Sequence, residues 1–266
     1  MLKALANTTS VAMENVRVYS ELEQRVKERT AQLERANARL EEANRELESF
    51  GHAVSHDLAA PLRSIRGFAQ MALKEGETTL NERGRQYLAI VQSSARQMRE
   101  VMDDLLRLSQ VARAEFKKEQ VDLSRLAQEI IKQLSAHSPD RIVDVQITEG
   151  MEVEADSGLL RIALENLLSN AWKYTAKRAS ARIEFGKMTQ PDGLQVYCVR
   201  DNGAGFDMKQ AGHLFQPFKR LHRQDEFPGT GIGLTTVQRI IQRHGGWVWA
   251  EAQVENGAAF YFTLPQ

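Results

Sequence analysis

Residues 48–65, ESFGHAVSHDLAAPLRSI, carry His52 and His56 four positions apart, with Asp57 directly after the second. Imidazoles at i and i+4 share one helix face, so the pair suits a zinc site, a general base, a nucleophile or an ordinary solvated surface. A metalloprotease helix needs Glu at position 53, and this chain has Ala53 there. Two glycine clusters, DNGAGF at 201–206 and GTGIGL at 229–234, could admit a ligand close to the backbone and turn N–H groups toward an anion. The second lacks the βαβ setting of a dinucleotide fingerprint and the Gly-Lys-Ser/Thr ending of a Walker loop. ENLLSNAWKYT at 165–175 puts Asn166, Asn170 and Lys173 within two turns of one helix. An amide oxygen can ligate magnesium, and a nearby ammonium can meet a phosphate.

These groups have to be held by the elements around them. From Leu22 to Val54 the positions Leu22, Val26, Arg29, Leu33, Ala36, Leu40, Ala43, Leu47, Phe50 and Val54 follow alternating steps of four and three in a segment charged at nearly every outward position. That is a heptad seam, and so narrow a stripe predicts a parallel dimeric coiled coil. Val54, Leu58 and Leu62 then come at steps of four, a stutter that locally unwinds the supercoil. His56 falls within it, rotated by about 200° from the seam, and so faces solvent.

KEGETTLNERG breaks this helix, and Tyr87, Val91, Met98, Met102, Leu105 and Leu108 mark a second amphipathic helix. A hairpin with such wide apolar faces is best buried by a second copy, giving a dimeric four-helix bundle. Beyond KKEQVDLSRL, Asp122 is placed to cap a helix through Leu126 and Ile130. Strands are predicted at RIVDVQIT, ARIEFGKM, GLQVYCVR, GGWVWAEAQ and AAFYFTLP, with helices at roughly 156–175 and 231–244; the mixture predicts a two-layer α/β sandwich.

Composition narrows the classes. The 266 residues include 35 Lys+Arg and 35 Asp+Glu, so no overall field recruits nucleic acid or an anionic membrane. The single cysteine, Cys198, lies in an apolar run and reads as a reduced core thiol. No apolar stretch approaches the roughly 18 to 20 residues of a membrane span, so the chain is expected to be cytoplasmic.

Taken in order, SHDLAAPLRSI, NLLSNAWKYT, DNGAGFD, LFQPFKRLH and GTGIGLTTVQRIIQRHGG resemble the phosphoacceptor box, N box, first glycine box, phenylalanine box and second glycine box of a sensor histidine kinase of two-component signalling. The resemblance covers about residues 51–266, and is nearest to kinases that follow PAS, GAF or phytochrome sensory modules. LANTTSVAMENVRVYSELEQRVKERTAQLE is similar to the last helix of a GAF domain running into a linker.

The resemblance implies three parts: a coiled-coil signalling helix at 1–50, with the possible end of a GAF domain at 1–20; a dimerisation and phosphotransfer hairpin at 51–117; and a catalytic ATP-binding domain of the GHKL type at 118–266. It implies ATP and Mg²⁺ as cofactors, a homodimer, a response-regulator receiver domain as partner and an upstream sensory domain. His56 would take the γ-phosphoryl group, with Asp57 holding its other ring nitrogen, and His52 has no assigned role. Asp201 would read adenine, with Gly203 and Gly205 permitting its approach. Asn170 would ligate magnesium, supported by Asn166, while Lys173 meets phosphate and Tyr174 packs near the base. Gly229, Gly231 and Gly233 would serve the phosphates, between which and Gly205 lies a lid. Phe215 and Phe218 would pack that lid against the helices, and Arg220 would reach the γ-phosphate.

Related ATPases carry a glutamate where this chain has Asn166, and an amide is no general base, so net hydrolysis is expected to be slow. Four residues after His56, where many such kinases carry Thr or Asn to position a dephosphorylating water, stands Ala60, which implies weak phosphatase activity. An ATP-driven clamp is the rival that Asn166 and the hairpin oppose. A silent scaffold is the rival that the intact boxes oppose.

Overall fold

A computed structural model describes residues 22–27, 29–30, 58, 61–74, 80–113, 115–191, 193–222 and 226–265. The chain divides into two compact units, Met1–Gly51 and His52–Gln266. In the first, the described residues 22–27 and 29–30 are helical, with Leu22 and Val26 exposed. Most of the expected coiled coil, together with His52, His56, Asp57 and Ala60, lies outside the described residues.

In the second unit, helix α1 spans residues 61–74 and helix α2 spans Glu82–Arg113. Asn81 starts α2, its side-chain oxygen accepting from the Gly84 N–H at 2.8 Å. Leu62, Ala95 and Met102 form a small buried cluster between the two helices. Ile65, Phe68, Met71, Tyr87, Ile90, Val91 and Met98 remain exposed, a stripe that one copy of the hairpin does not cover.

The rest is a sheet carrying three helices. A two-stranded antiparallel pair, β1 (Glu119–Asp122) and β3 (Glu152–Ala155), flanks a five-stranded sheet. The larger sheet runs β2 (Val143–Ile147), β4 (Ala181–Thr189), β5 (Gln195–Asp201), β7 (Gly257–Thr263) and β6 (Val248–Gln253) in spatial order. Among the described strands only β2 and β4 pair in parallel.

Helix α3 (Leu123–Ala136) begins at Asp122, whose carboxylate accepts from the N–H groups of Ser124 and Arg125 at 2.9 and 3.1 Å. Leu123, Leu126, Ala127 and Ile130 recur at helical spacing, and all are buried. Helix α4 (Ser157–Tyr174) begins at Asp156 and ends under Arg141, whose guanidinium donates to the Trp172 carbonyl and the Thr175 hydroxyl and lies 4.9 Å from the Trp172 ring. Helix α5 (Gly233–Arg243) is the third.

The period-two alternation of the strands sorts side chains between two faces. Tyr197 and Val199 of β5, with Phe260 and Phe262 of β7, join the helices in the main core. Val196, Cys198, Ala259 and Tyr261 form a second cluster on the outer face, covered by Trp249, whose ring stacks on Tyr261 at 5.3 Å. Cys198 is buried and free, as the sequence predicts. The helix at 123–136, the helices near 156–175 and 231–244 and the five predicted strands are all present; β1 and β3 are additional.

Leu164 sits at the centre of the core, 0% exposed. Leu164→Ala is expected to destabilise the unit by about 2–5 kcal/mol through the lost transfer energy and the cavity left behind. Urea unfolding followed by tryptophan fluorescence measures it, and a loss below about 1 kcal/mol would contradict this account of the core.

Candidate functional site

Apolar residues fix α4 from one side and expose the other. With Leu160, Leu164, Leu167, Leu168 and Ala171 held in the core, Asn166, Asn170 and Lys173 line a cavity of about 680 Å³. That volume suits a nucleotide-sized ligand. Its floor is Asp201, at the end of β5, and its rim is built from Arg220, Gly229, Gly231 and Gly233.

The loop after β5 is tied down on two sides. The Ala204 N–H donates to the Tyr174 carbonyl at 3.2 Å, and the Ala204 carbonyl accepts from the Glu255 N–H at 2.7 Å. Gly205 has φ +59, and a Cβ there would lie 1.9 Å from the Gln253 carbonyl oxygen; a Cβ on Gly203 would lie 2.6 Å from the Tyr174 carbonyl oxygen. No side chain fits at either position. Asp201 is 6% exposed, and its carboxylate accepts from the Gly203 N–H at 2.8 Å. Burial pushes its pKa up to about 6, against the pull of hydrogen bonds from the Gly203 and Ala258 backbones.

The second glycine loop leads into α5. Gly231 has φ +79, its carbonyl accepts from the Phe218 N–H at 3.0 Å, and a Cβ on it would lie 2.9 Å from the Lys219 carbonyl oxygen. A Cβ on Gly233 would lie 2.4 Å from the Asn166 amide oxygen, and one on Gly229 3.2 Å from the Lys173 ammonium. Asn166 is oriented by donating to the Ile162 carbonyl at 2.8 Å. Burial lowers the Lys173 pKa to about 8, with the Arg220 guanidinium adding repulsion.

Between the loops, Asp207 caps a short 3₁₀ helix, Met208–His213, and Leu214 and Leu221 pack on the main core. Arg220 donates to the Phe227 carbonyl at 2.5 Å. Tyr174 meets both His222 and Phe227, with ring centroids 5.1 and 5.0 Å away. Phe215 is half-buried, its carbonyl accepting from the Thr235 hydroxyl at 2.9 Å. Phe218 corrects the expectation that it packs the segment against the helices: it is 56% exposed with φ +62, because its N–H is turned in to bond Gly231 and the ring is left outside.

Asn166, Asn170, Lys173, Tyr174, Asp201, Gly205, Arg220, Gly229, Gly231 and Gly233 therefore share one cavity, and Gly203 lies beside it. Sequence reasoning missed Lys219, His222 and Thr230, which line the same cavity, and Phe227, which backs Tyr174. An aromatic residue two positions before a glycine loop was the available signal for Phe227. Glu100, Asp103, Asp104 and Arg107 of α2 also reach the cavity, and nothing local in the sequence announces that.

Among the described residues no helix is long and apolar enough to cross a membrane, and no group of three or more His, Cys, Asp or Glu could hold a metal ion. Magnesium carried with a substrate's phosphates needs only one or two protein oxygens, so the Asn170 amide fits such an ion.

Two family descriptions match the chain: "His Kinase A (phospho-acceptor) domain" over residues 46–113, and "Histidine kinase-, DNA gyrase B-, and HSP90-like ATPase" over residues 155–266. Among curated proteins, cyanobacterial phytochrome B of Nostoc sp. is 32% identical over 219 residues, which are 82% of this chain and 29% of that one. The methanogenesis regulatory histidine kinase FilI of Methanothrix harundinacea is 34% identical over 82% of this chain and 24% of its own length. The circadian input-output histidine kinase CikA of Synechococcus elongatus is 30% identical over 100% of this chain and 37% of its length. The chain thus spans about a quarter to just over a third of these relatives. A crystal structure of full-length ShkA in complex with AMPPNP shares the fold, with TM-score 0.59 and 22% identity over 82% of this chain and 45% of that one.

The two shifted groups set a pH window for any nucleotide lying between them. Asp201 accepts best when ionised, above pH about 6, and Lys173 is charged below pH about 8. ATP affinity is expected to peak between these values, and at pH 8–9 binding should take up a proton as phosphate recharges Lys173. Titration calorimetry in buffers of different ionisation enthalpy measures the uptake. Affinity that is flat from pH 5 to pH 9, with no uptake, would dissociate both residues from binding.

Proposed function

The chain belongs to the two-component sensor histidine kinases, in which a HisKA domain precedes a HATPase_c domain, and on that premise we propose that it is a protein-histidine kinase transmitter acting through His56. In this reading the helical part is 51–117 and the ATP-binding part is 118–266. What supports it best is the convergence of a buried carboxylate, Asp201, a cation, Lys173, and the 229–233 glycine loop around one cavity.

Asp201 at the floor accepts a hydrogen bond from the exocyclic amine of adenine, beside Tyr174. Lys173 and Arg220 meet the phosphates, and the glycine loop gives them room and backbone donors. Mg²⁺, when bound with the nucleotide, would be held by Asn170 and would neutralise phosphate charge. An imidazole nitrogen of His56 attacks the γ-phosphorus. The bond from that phosphorus to the bridging oxygen breaks, and ADP leaves with the electron pair. Asp57 holds the other ring nitrogen and stabilises the positive charge that develops on the ring. Asn166 supplies no general base, so water does not compete as nucleophile. The phosphoryl group then passes to an aspartate of a receiver domain. The uncovered stripe of Phe68, Tyr87 and Ile90 fits a homodimer. Relatives that are phytochromes support an upstream sensory module, and dependence on ATP supports a cytoplasmic setting.

With γ-labelled ATP, His56→Gln is expected to abolish acid-labile labelling while ATP still binds, and His52→Gln to keep most of it. Labelling lost only in the His52 variant would reverse the assignment.

The Ala60 methyl group can neither donate nor accept a hydrogen bond to a water attacking the receiver's aspartyl phosphate. One missing positioning contact costs on the order of 10²-fold in rate. The chain is accordingly expected to release phosphate slowly from a phosphorylated receiver in the presence of ADP, and Ala60→Thr to release it faster. Rapid release by the native chain would end this proposal.

A further inference from the structure

The carboxylates of α2 stand where an anion would not want them. Glu100, Asp103 and Asp104 line the same cavity as Lys173 and the Gly229–Gly231 loop, with Arg107 the only cation among the α2 residues there. The Thr230 hydroxyl, at the middle of that loop, donates to an Asp104 carboxylate oxygen at 2.5 Å. Two further bonds continue the contact: the Arg239 guanidinium reaches the Leu108 carbonyl at 3.5 Å, and the Arg243 guanidinium donates to the Val111 carbonyl. Positions 104, 108 and 111 are spaced by four and three and lie on one face of α2. The glycine loop and α5 are therefore attached to the hairpin along a single line that starts at the phosphate site.

A hydroxyl has one proton to donate, and a carboxylate and a phosphate oxygen are rival acceptors for it. A triphosphate on the loop would also lie against the Asp104 charge in a partly desolvated cleft, where like charges repel far more than in water. We propose that Asp104 is a latch: in the unliganded protein it holds the phosphate loop on α2, and it competes with the nucleotide's phosphates for that loop. Linkage makes the effect reciprocal, so that nucleotide loosens the contact by the same factor by which the contact weakens nucleotide. Loading with ATP and release of the ATP-binding part from the hairpin then become one event. This rests on the reading that the cavity takes ATP.

The test measures ATP, ADP and AMP affinities of the full chain by displacement of a fluorescent mant-ATP probe. Asp104→Asn keeps the shape without the charge, and Asp104→Ser is too short to reach Thr230. Both are expected to bind ATP about 5- to 10-fold more tightly than the native chain, at the low end of the usual range of coupling. The gain should shrink from ATP to ADP, vanish for AMP, and fall as salt is raised. Glu100→Gln, which removes a carboxylate from the same wall, should gain less than 2-fold. The latch is overturned if neither Asp104 variant gains affinity, if AMP gains as much as ATP, or if Glu100→Gln gains as much as Asp104→Asn, since that would be diffuse repulsion. A native chain that binds no ATP would remove the reading of the cavity and the latch together; one that binds ATP no less tightly than both Asp104 variants removes the latch alone.

Discussion

Burial of one face of α4 is the constraint on which the site depends. Leu159, Leu160, Ala163, Leu164, Leu167, Leu168, Ala171 and Trp172 are all buried against the sheet and the neighbouring helices. Each large apolar side chain contributes roughly 1.5–3 kcal/mol when removed from water. The sum exceeds what it costs to hold one ammonium, Lys173, partly dehydrated on the opposite face. Turning the helix by one residue, about 100°, would forfeit that burial and swing Asn166, Asn170 and Lys173 out of the cavity. The end of the helix is used as well: the Tyr174 carbonyl receives the Ala204 N–H, so the loop beneath Asp201 is referenced to the same element.

The cavity is polarised from floor to rim. Burial raises Asp201, and only two backbone donors oppose it, which leaves a carboxylate ready to accept one more hydrogen bond. Nearer the rim, the Arg220 guanidinium adds to burial in lowering the Lys173 pKa to about 8, so an anion meeting both cations is favoured electrostatically. A neutral donor at one end of a ligand and negative charge at the other match this gradient better than any uniformly charged molecule.

Features written in short stretches of sequence were legible, and those made by distant stretches meeting were not. Asp122 as a helix cap, the apolar period of α4, the alternation of β5 and β7 and the glycine loops each depend on residues within a few positions of one another. The pair β1 and β3 is illegible in the sequence because each strand has only four residues, with Val121 the single apolar side chain of β1 and Val153 and Ala155 those of β3, and the two valines pair across more than thirty positions. The bond between Thr230 and Asp104 spans 126 positions and joins two residues that look like ordinary solvated polar side chains. The exposure of Phe218 follows from a backbone bond to Gly231, which no pattern of side chains encodes.

Only residues 114–118, five positions, separate α2 from β1. Fully extended they would span at most about 18 Å. Two of them are engaged: the Lys117 N–H donates to the Asp156 carboxylate at 3.0 Å, and the Phe116 ring lies 4.7 Å from the ring of His244. The ATP-binding part is therefore on a short leash. On the proposed reading, such a tether holds the phosphoryl donor near its acceptor at an effective concentration in the millimolar range. Once nucleotide is bound, meeting the hairpin is no longer a collision between molecules, and its frequency is set by tether length whatever the amount of protein in the cell. Insertions between 114 and 118 would dilute that meeting gradually, roughly as the −3/2 power of tether length, whereas deletions would abolish it at a definite length.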